Sequence, residues 1–333
     1  MRKRLESLAY DHGFHHFRAA TLGPTPWLDR YDSWLSKAFH GELGWLIRGR
    51  DTRADPRSRL PEGKSVLVLG VDHHHTRPAD PGGLTGMVAR YAWGRDYHNL
   101  VGKRLKRFQR RLREDGIESW GGVDTAPILE RGWASAAGLG FGGKNCVQIL
   151  PARGSWIFLA VVFVDVEVEA DRPEGDHCGS CRRCLDACPT QAFVEDRVLD
   201  STRCIAYWTI EDRGVIPVDL RPGFGRWVFG CDVCQEVCPH NVTPPVPEED
   251  DLLPRNAWLD LAWLLEADGD EIMETFIGTP LRRPGPEALK RNACVVLGNL
   301  GEEGAAPLLR KAAEGRSSLV AEHARWALEC LGG

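Results

Sequence analysis

CGSCRRCLDACP at 178–189 and CDVCQEVCP at 231–239, with a lone Cys204 between them, decide how this chain is organised. The first run is Cys178-x2-Cys181-x2-Cys184-x3-Cys188-Pro189; the second is Cys204, then Cys231-x2-Cys234-x3-Cys238-Pro239. Two-residue gaps let three thiolates close on one face of an iron–sulfur cube, while the proline-flanked fourth cysteine reaches across to another cluster. Two such runs predict two 4Fe–4S clusters and a redox role. By the same rule the first cluster takes Cys178, Cys181, Cys184 and Cys238, and the second takes Cys204, Cys231, Cys234 and Cys188. Cys204 stands 27 residues before Cys231, so the segment between them must leave the cluster and return, and it is expected to build part of another site. Four thiolates at CxxC spacing also suit zinc, but a zinc site has no use for paired x3-Cys-Pro endings. Disulfides fit less well. The opening MRKRLESLAYDHG has no apolar stretch that would mark a secretory signal, and this density of CxxC looks intracellular. Cys146, Cys294 and Cys330 lie in apolar contexts and are expected to be buried thiols.

The remaining sequence bounds the setting. With 333 residues, 43% of them hydrophobic, the chain can hold two or three domains with a real core. Its longest apolar candidate, Trp156–Val164, is far short of the roughly 18 residues a membrane helix needs and fits a buried strand. A cytoplasmic protein is expected. A net charge of −5 gives no global attraction for nucleic acid, so such a partner would have to meet a local basic patch.

Residues 1 to about 45 carry helical patterning through Leu5, Leu8 and Ala9, then Trp34, Leu35, Ala38 and Phe39. A turn-rich charged stretch follows at 48–64, and SVLVLGV (65–71) has the look of a buried strand. Residues 99–115 predict an amphipathic helix with Val101, Leu105, Phe108 and Leu112 on its apolar face. Its other positions are basic: Lys103, Arg104, Lys106, Arg107, Arg110, Arg111 and Arg113. A solvated face and a phosphate contact both fit that pattern. VDTAPIL (123–129) is strand-like, Glu130–Ala137 helical, and strands are expected near 145–150 and 155–166. These alternations predict an α+β multidomain chain. Its expected parts are an α/β domain over 1–168, a ferredoxin-type cluster domain over 169–248, and a helical domain over 249–333. The acidic EVEADRPEGDH and the TPPVPEEDD stretch mark the two boundaries. Within the last part ALKRNACVVLGNLG, AAPLLRKAAEG and LVAEHARWALECLG read as HEAT-like helical repeats, too few to stand alone.

Two motifs are declined. Gly138, Gly140 and Gly143 satisfy G-x-G-x-x-G, yet a helix-like stretch precedes them and a strand-like one follows, the reverse of a dinucleotide-binding turn. DHHHT (72–76) invites a metal reading, but three consecutive histidines cannot all face one ion, and a surface turn is expected.

The segments AWGRDYH (92–98), VDTAPILERGWA (123–134), GGKN (142–145), GSWIFLA (154–160), CIAYWTIE (204–211) and GCDVCQEVCPHN (230–241) join the first cysteine run in resembling the epoxyqueuosine reductase family, in order and over nearly the whole chain. The displaced Cys204 is part of the likeness. The resemblance implies cob(II)alamin plus two 4Fe–4S clusters, used to remove the epoxide oxygen of epoxyqueuosine at the tRNA wobble position. It implies that Asp124 of the DTAP motif is the proton donor. It also implies cofactor contacts at Arg53, Tyr91, Trp93, Asp124, Lys144, Asn145, Gln148, Leu159, Tyr207 and the Gly230–Cys231–Asp232 turn. No Asp-x-His-x-x-Gly motif is present, so the corrin would be held without a protein ligand below the cobalt. A monomer is implied, served by a low-potential donor of flavodoxin or ferredoxin type.

The chemistry is consistent with those roles. Epoxide deoxygenation consumes two electrons, needs a strong nucleophile at carbon and needs an acid for the departing oxygen, and cofactors commonly carry the first two. A carboxyl shielded by corrin and base would have its pKa raised by desolvation and stay protonated. The plainer role for Asp124 is a strand-end turn residue. For tRNA, the 103–113 helix, Arg221, Arg226 and the basic positions Arg282, Arg283, Lys290 and Arg291 could line one face, with Trp208 available to stack a base. The rival readings are a corrinoid reductive dehalogenase-like enzyme, whose usual twin-arginine signal does not open this sequence, a plain iron–sulfur electron carrier, and a binding module with structural clusters.

Overall fold

In the computed structural model, which describes residues 1–332, the chain opens with α1 (Arg2–Asp11) and β1 (His16–Thr21). Short helices α2 (Leu28–Ser36), α3 (Gly44–Arg48) and α4 (Arg50–Ala54) lead to β2 (Ser65–Asp72). β3 (Thr85–Val88) precedes the long helix α5 (Tyr97–Glu114). Next come β4 (Ser119–Gly122), α6 (Glu130–Ala136), the short β5 (Phe141–Gly142) and β6 (Gln148–Ile149), and β7 (Ile157–Val164). The main sheet has the order β1-β2-β7-β4 and is antiparallel throughout. Both of its faces are covered. Leu67, Leu69 and Val71 of β2 pack with Leu5, Val101, Leu105, Phe108 and Leu112 of α1 and α5, whereas Val66 and Val68 pack with Trp133, Ala134 and Ala137 around α6. Double coverage explains why β2 and β7 read as unbroken apolar runs and not as alternations.

The mixture of helix and strand follows the sequence expectation, with local differences. β1 occupies a stretch read as helical. HFRAAT carries helix-favouring alanines, but pairing with β2 in the register His16↔Gly70 to Thr21↔Ser65 overrides that preference. VDTAPIL is not a strand: β4 stops at Gly122, and residues 123–129 form a loop. The histidines of DHHHT do not form a surface turn. Asp72 ends β2, and His73 and His75 are buried, with the His73 ring stacked on Phe158 at 4.1 Å. Of the three extra thiols only Cys294 is fully buried; Cys330 is exposed and Cys146 partly so.

Downstream lie α7 (Arg183–Asp186), the hairpin β8 (Phe193–Glu195) and β9 (Val198–Leu199), β10 (Trp227–Phe229) and α8 (Val233–Glu236). Then come β11 (Trp258–Asp260), α9 (Leu261–Glu266), α10 (Gly269–Thr275), α11 (Gly285–Leu300), α12 (Ala306–Ala313) and α13 (Ser318–Cys330). A second sheet, β10-β3-β11, draws one strand from each of three distant stretches, with β10 parallel and β11 antiparallel to β3. One core runs from Val88 and Trp93 through Val228 and Phe229 into Leu289, Val296 and Val320. The C-terminal helices are therefore packed onto the strands and share their core.

Arg291 of α11 is fully buried. It donates to the carbonyls of Trp208 (2.5 Å), Asp212 (3.1 Å) and Gly214 (2.7 Å), while the neighbouring Asn292 amide reaches the carbonyls of Thr209 and Val228, both at 3.0 Å. Arg221 is equally buried, bonded to the Ile216 carbonyl and to Glu322. Neither arginine can meet RNA, a correction to the basic face read from sequence. Arg291→Leu strips the donor from three carbonyls, that of Asp212 fully buried and those of Trp208 and Gly214 partly so, and should lower unfolding stability by about 3 kcal/mol. The exposed Arg282→Leu should stay within about 0.5 kcal/mol. Denaturant midpoints of the two variants measure the difference.

Candidate active site

Each cysteine run folds into a turn that closes in a short helix, α7 after Cys181 and α8 after Cys231, and the two helices pack together. Burial pushes up the thiols of Cys184, Cys204, Cys231, Cys234 and Cys238, and neighbouring thiols add to it. Cys184 feels Cys178 and Cys238, and Cys238 feels Cys178 and Cys181; Cys231 and Cys234 both feel Cys188 and Cys204. Thiols in this state are poor thiolates until a cationic centre sits among them, which is the donor chemistry of a metal cluster. Among the described residues no three His, Cys, Asp or Glu side chains stand close enough to grip one ion.

Asp124 lies just past the end of β4. That strand stops opposite Val161, leaving Ile157–Ala160 of β7 without a partner on that side, and the chain turns away into the notch. Asp96 caps α5 by accepting the His98 N–H at 2.9 Å, which fixes Tyr97 and His98 in the first turn of the helix. Asp124 Oδ2 accepts from the Tyr97 hydroxyl at 2.9 Å and lies 2.8 Å from His98 Nε2. His98 Nδ1 lies 2.8 Å from Asp96 Oδ1, so each imidazole nitrogen faces a carboxylate. The Tyr97 ring lies parallel on Phe158 at 4.3 Å, and His98 stacks on Tyr97 at 4.1 Å. A T-shaped contact at 6.0 Å joins Tyr97 to Tyr91, which borders Phe229 and Gly230 beside Cys231.

The electrostatics follow from this packing. Burial would lower His98, but its two carboxylates win and raise it to about 9. Burial would raise Asp124, but the His98 and Tyr97 hydrogen bonds and the Arg283 charge hold it below its ordinary value. The raised Asp124 expected from sequence is that of a carboxyl shielded by corrin and base; the protein groups by themselves hold it down. Burial, with the Asp124 charge beside it, raises Glu130 to about 8. Asp124 keeps 49% of its side chain open, although burial is the largest influence on its pKa.

The other anticipated contacts are mostly engaged within the protein. Trp93 is buried and donates to the Val88 carbonyl at 2.8 Å. Gln148 bonds Ser135 and the Leu139 carbonyl, Asn145 donates to the Cys234 carbonyl, and Lys144 pairs with Asp196. Tyr207 donates to Asp212 and accepts from the Glu42 N–H, while Asp232 accepts from the backbone and side chain of Arg90. Arg53 is buried under the rings of Tyr31 and Trp45. Tyr91, Leu159 and Cys231 keep partly open surface. Trp208 is half-buried and donates to the Thr202 carbonyl, Lys290 donates to the carbonyls of Leu265 and Ala267, and Arg226 pairs with Asp80, so none of the three is a ready RNA contact. Sequence reasoning gave no role to Asp96, Tyr97, His98 or Glu130. Their signal was present as an Asp-Tyr-His run at the head of a predicted helix and an acid opening the next one.

The comparisons agree with this geometry. Residues 177–241 match the family described as 4Fe-4S double cluster binding domain, and residues 53–125 match epoxyqueuosine reductase QueG, DUF1730. Epoxyqueuosine reductase of Xanthomonas campestris is 40% identical over 309 residues, covering 89% of this chain and 86% of the relative. A crystal structure of epoxyqueuosine reductase with an epoxyqueuosine-modified tRNA-Tyr stem loop superposes with TM-score 0.89 at 28% identity, covering 99% and 90% of the two chains. The Bacillus subtilis enzyme, with its catalytic aspartate loop swung out of the active site, gives TM-score 0.89 at 27% identity, with the same coverage. The fold and site define an iron–sulfur oxidoreductase. More particularly, the chain belongs to the epoxyqueuosine reductase family.

A raised histidine pKa makes a measurable signature. His98 at about 9 against 6.5 contributes stability that is complete below about 6.5 and is lost as pH rises through about 9. Imidazole NMR should show His98 titrating near 9, with Asp124→Asn and Asp96→Asn each moving it down. Titration near 6.5 in the intact protein would contradict the paired-carboxylate arrangement.

Proposed function

We propose that this enzyme reduces epoxyqueuosine to queuosine at the tRNA wobble position, with Asp124 as proton donor and with electrons passed through two 4Fe–4S clusters to a bound cobalamin. The observation that carries the reading is the Asp124 carboxyl, gripped by Tyr97 and His98 yet half open, one aromatic pair away from Gly230 and Cys231. Opening an epoxide to an alkene takes up two electrons and two protons and releases water. Cobalamin supplies the strong nucleophile when bound and reduced, and the clusters supply single electrons.

The protein's own groups do the rest. Asp124 and His98 share a proton at the Oδ2–Nε2 contact, and Asp96 keeps His98 charged. Once substrate and cofactor cover the open face of Asp124, loss of water favours its neutral form and readies the proton for the leaving oxygen. The buried, mutually repelling thiols support the ligand sets Cys178, Cys181, Cys184, Cys238 and Cys204, Cys231, Cys234, Cys188. The notch beyond β4, with Leu159, Tyr91 and the Gly230–Asp232 turn, supports a corrin wall. Trp93 and Gln148 would contribute there through backbone and shape, since their polar atoms are engaged. Arg53, Lys144, Asn145 and Tyr207 would brace that wall.

The stem loop seen on the related enzyme suggests the same partner here. The exposed Lys103, Lys106, Arg107, Arg110 and Arg113 of α5, which starts at the site, offer phosphate contacts, as does Arg282, whereas Arg283 is paired with Glu211. In the Bacillus subtilis relative the catalytic aspartate loop is swung out of the active site, and a like movement here before the loop closes for turnover would admit a nucleotide. We assign 1–168 to cobalamin binding, 169–248 to the clusters and 249–333 to a HEAT-like brace. The setting would be a cytoplasmic monomer served by a flavodoxin- or ferredoxin-type donor. No helix among the described residues is long and apolar enough to cross a membrane.

Anaerobic turnover of an epoxyqueuosine-modified stem loop, with and without cobalamin, tests the reading. Asp124→Asn should keep both cofactor types and lose turnover by about 100-fold or more. Failure to bind cobalamin, or wild-type turnover by that variant, would sink it. Reversing Lys103, Arg107 and Arg110 to Glu should reduce the slope of log affinity against log salt by about 2. An unchanged slope would remove α5 from the RNA surface.

A further inference from the structure

The backbone at Asp124 is strained. Its φ is 51°, in the left-handed region, and the Thr125 N–H closes on the Val123 carbonyl at 2.5 Å, making a three-residue turn of the rarer positive-φ kind. A second tight turn follows, from the Ile128 N–H to the Ala126 carbonyl at 2.8 Å, and the loop folds back so closely that a Cβ at Gly122 would lie 2.2 Å from that of Ala126. Such conformations persist only where surrounding contacts over-determine them. Three contacts reach Asp124 from outside its turn: Tyr97 and His98 hold the carboxylate, and Glu130 Oε1 accepts the Asp124 backbone N–H.

Glu130 is an unusual choice for that task. An acid in the first turn of a helix ordinarily serves the helix's own N–H groups. Here Leu129 provides no side-chain cap, and the Glu130 carboxyl reaches back six residues to the loop. The three holds also differ in what the reaction does to them. Tyr97 and His98 bond the same oxygen that carries the proton, so their grip changes as the proton leaves. The Glu130 bond is to the peptide and is indifferent to the protonation of the carboxyl.

We propose that Glu130 is a positioning residue that clamps the Asp124 peptide, keeping the acid in register with the substrate through turnover. The proposal rests on the reading of Asp124 as the proton donor and names what keeps that donor in place. Its partner is the Asp124 peptide, so Glu130 acts through Asp124. Its acceptor oxygen, and not its charge, does the holding, so an amide of the same shape retains the function.

The test compares Glu130→Ala with Glu130→Gln in the cluster- and cobalamin-loaded enzyme. Glu130→Ala should lower kcat for the modified stem loop by about 100-fold, the cost of a catalytic group displaced by an ångström, with KM little changed. Glu130→Gln should recover most of that loss. Hydrogen–deuterium exchange of the segment 122–128 should quicken in Glu130→Ala and stay near wild type in Glu130→Gln, with cluster absorbance and thermal midpoint showing that both variants are folded. Two results would overturn the clamp: unchanged exchange in Glu130→Ala, or a Gln variant as slow as the Ala variant with exchange unaltered, which would make Glu130 a proton carrier. If Asp124→Asn turns over normally, the donor reading fails, while the exchange comparison still tests the clamp by itself.

Discussion

The eight-residue pairing of β2 with β7 fixes where the reactive groups stand. β2 is buried throughout and β7 over residues 160–164, so neither can slip by one residue without turning its apolar side chains into the wrong layer. That register puts Phe158 opposite Val71 on the α5 side of the sheet, where its ring becomes the floor for Tyr97. It also sets where β4 ends, opposite Val161, and hence where the chain must leave the sheet with Asp124. The column His73, Phe158, Tyr97, His98, with centroids 4.1, 4.3 and 4.1 Å apart, is stacked up from the sheet. The Asp124 carboxyl is thus located by packing first and by hydrogen bonds second.

A parallel logic ties the cluster turns to the same scaffold. Asp232, between Cys231 and Cys234, is buried, and it accepts from the Arg90 N–H at 2.8 Å and from its guanidinium at 3.2 Å. Arg90 and Arg77 lie against the faces of Trp93, Trp156, Trp227 and Trp258, at 4.7 to 5.6 Å from the ring centroids. Aromatic faces and two shared carboxylates, Asp232 and Glu236, offset the cost of taking two guanidinium groups out of water. Arg90 follows β3, so the Cys231 turn is fastened to the second sheet beside Tyr91.

Legibility in the sequence tracked how local each cause was. The cysteine spacing is set by the geometry of a cluster, and α5 by a 3.6-residue period, so both could be read directly. β1 could not, because its only reason to be extended is β2, some fifty residues away in sequence. Basic residues mislead for a related reason. Arg221 and Arg291 look like surface charges until the carbonyls they serve come together in three dimensions. The buried histidines of DHHHT follow the same rule, since the rings beside them belong to β7 and to Trp156 just before it. Asp124 was singled out through a family likeness, while its partners Tyr97, His98 and Glu130 stood within the quoted segments without an assigned role.

The displaced Cys204 gains its meaning from what fills the gap before Cys231. The chain makes a π-helical turn at Tyr207–Glu211, a rare arrangement whose carbonyls here take outside partners. It finds them in α11, where Arg291 and Asn292 bind the carbonyls of Trp208 and Thr209. The Thr209 hydroxyl in turn donates to the Ile205 carbonyl and accepts the Gly230 N–H at 2.9 Å. Gly230 has φ 68°, and a Cβ there would sit 2.5 Å from that of Ala89, so only glycine lets this strand end approach β3 closely enough to deliver Cys231. A line of contacts therefore runs from α11 through the 205–211 turn to Cys231. The C-terminal helices set the position of that cysteine relative to Tyr91 and Asp124, which accounts for their sharing a core with the strands.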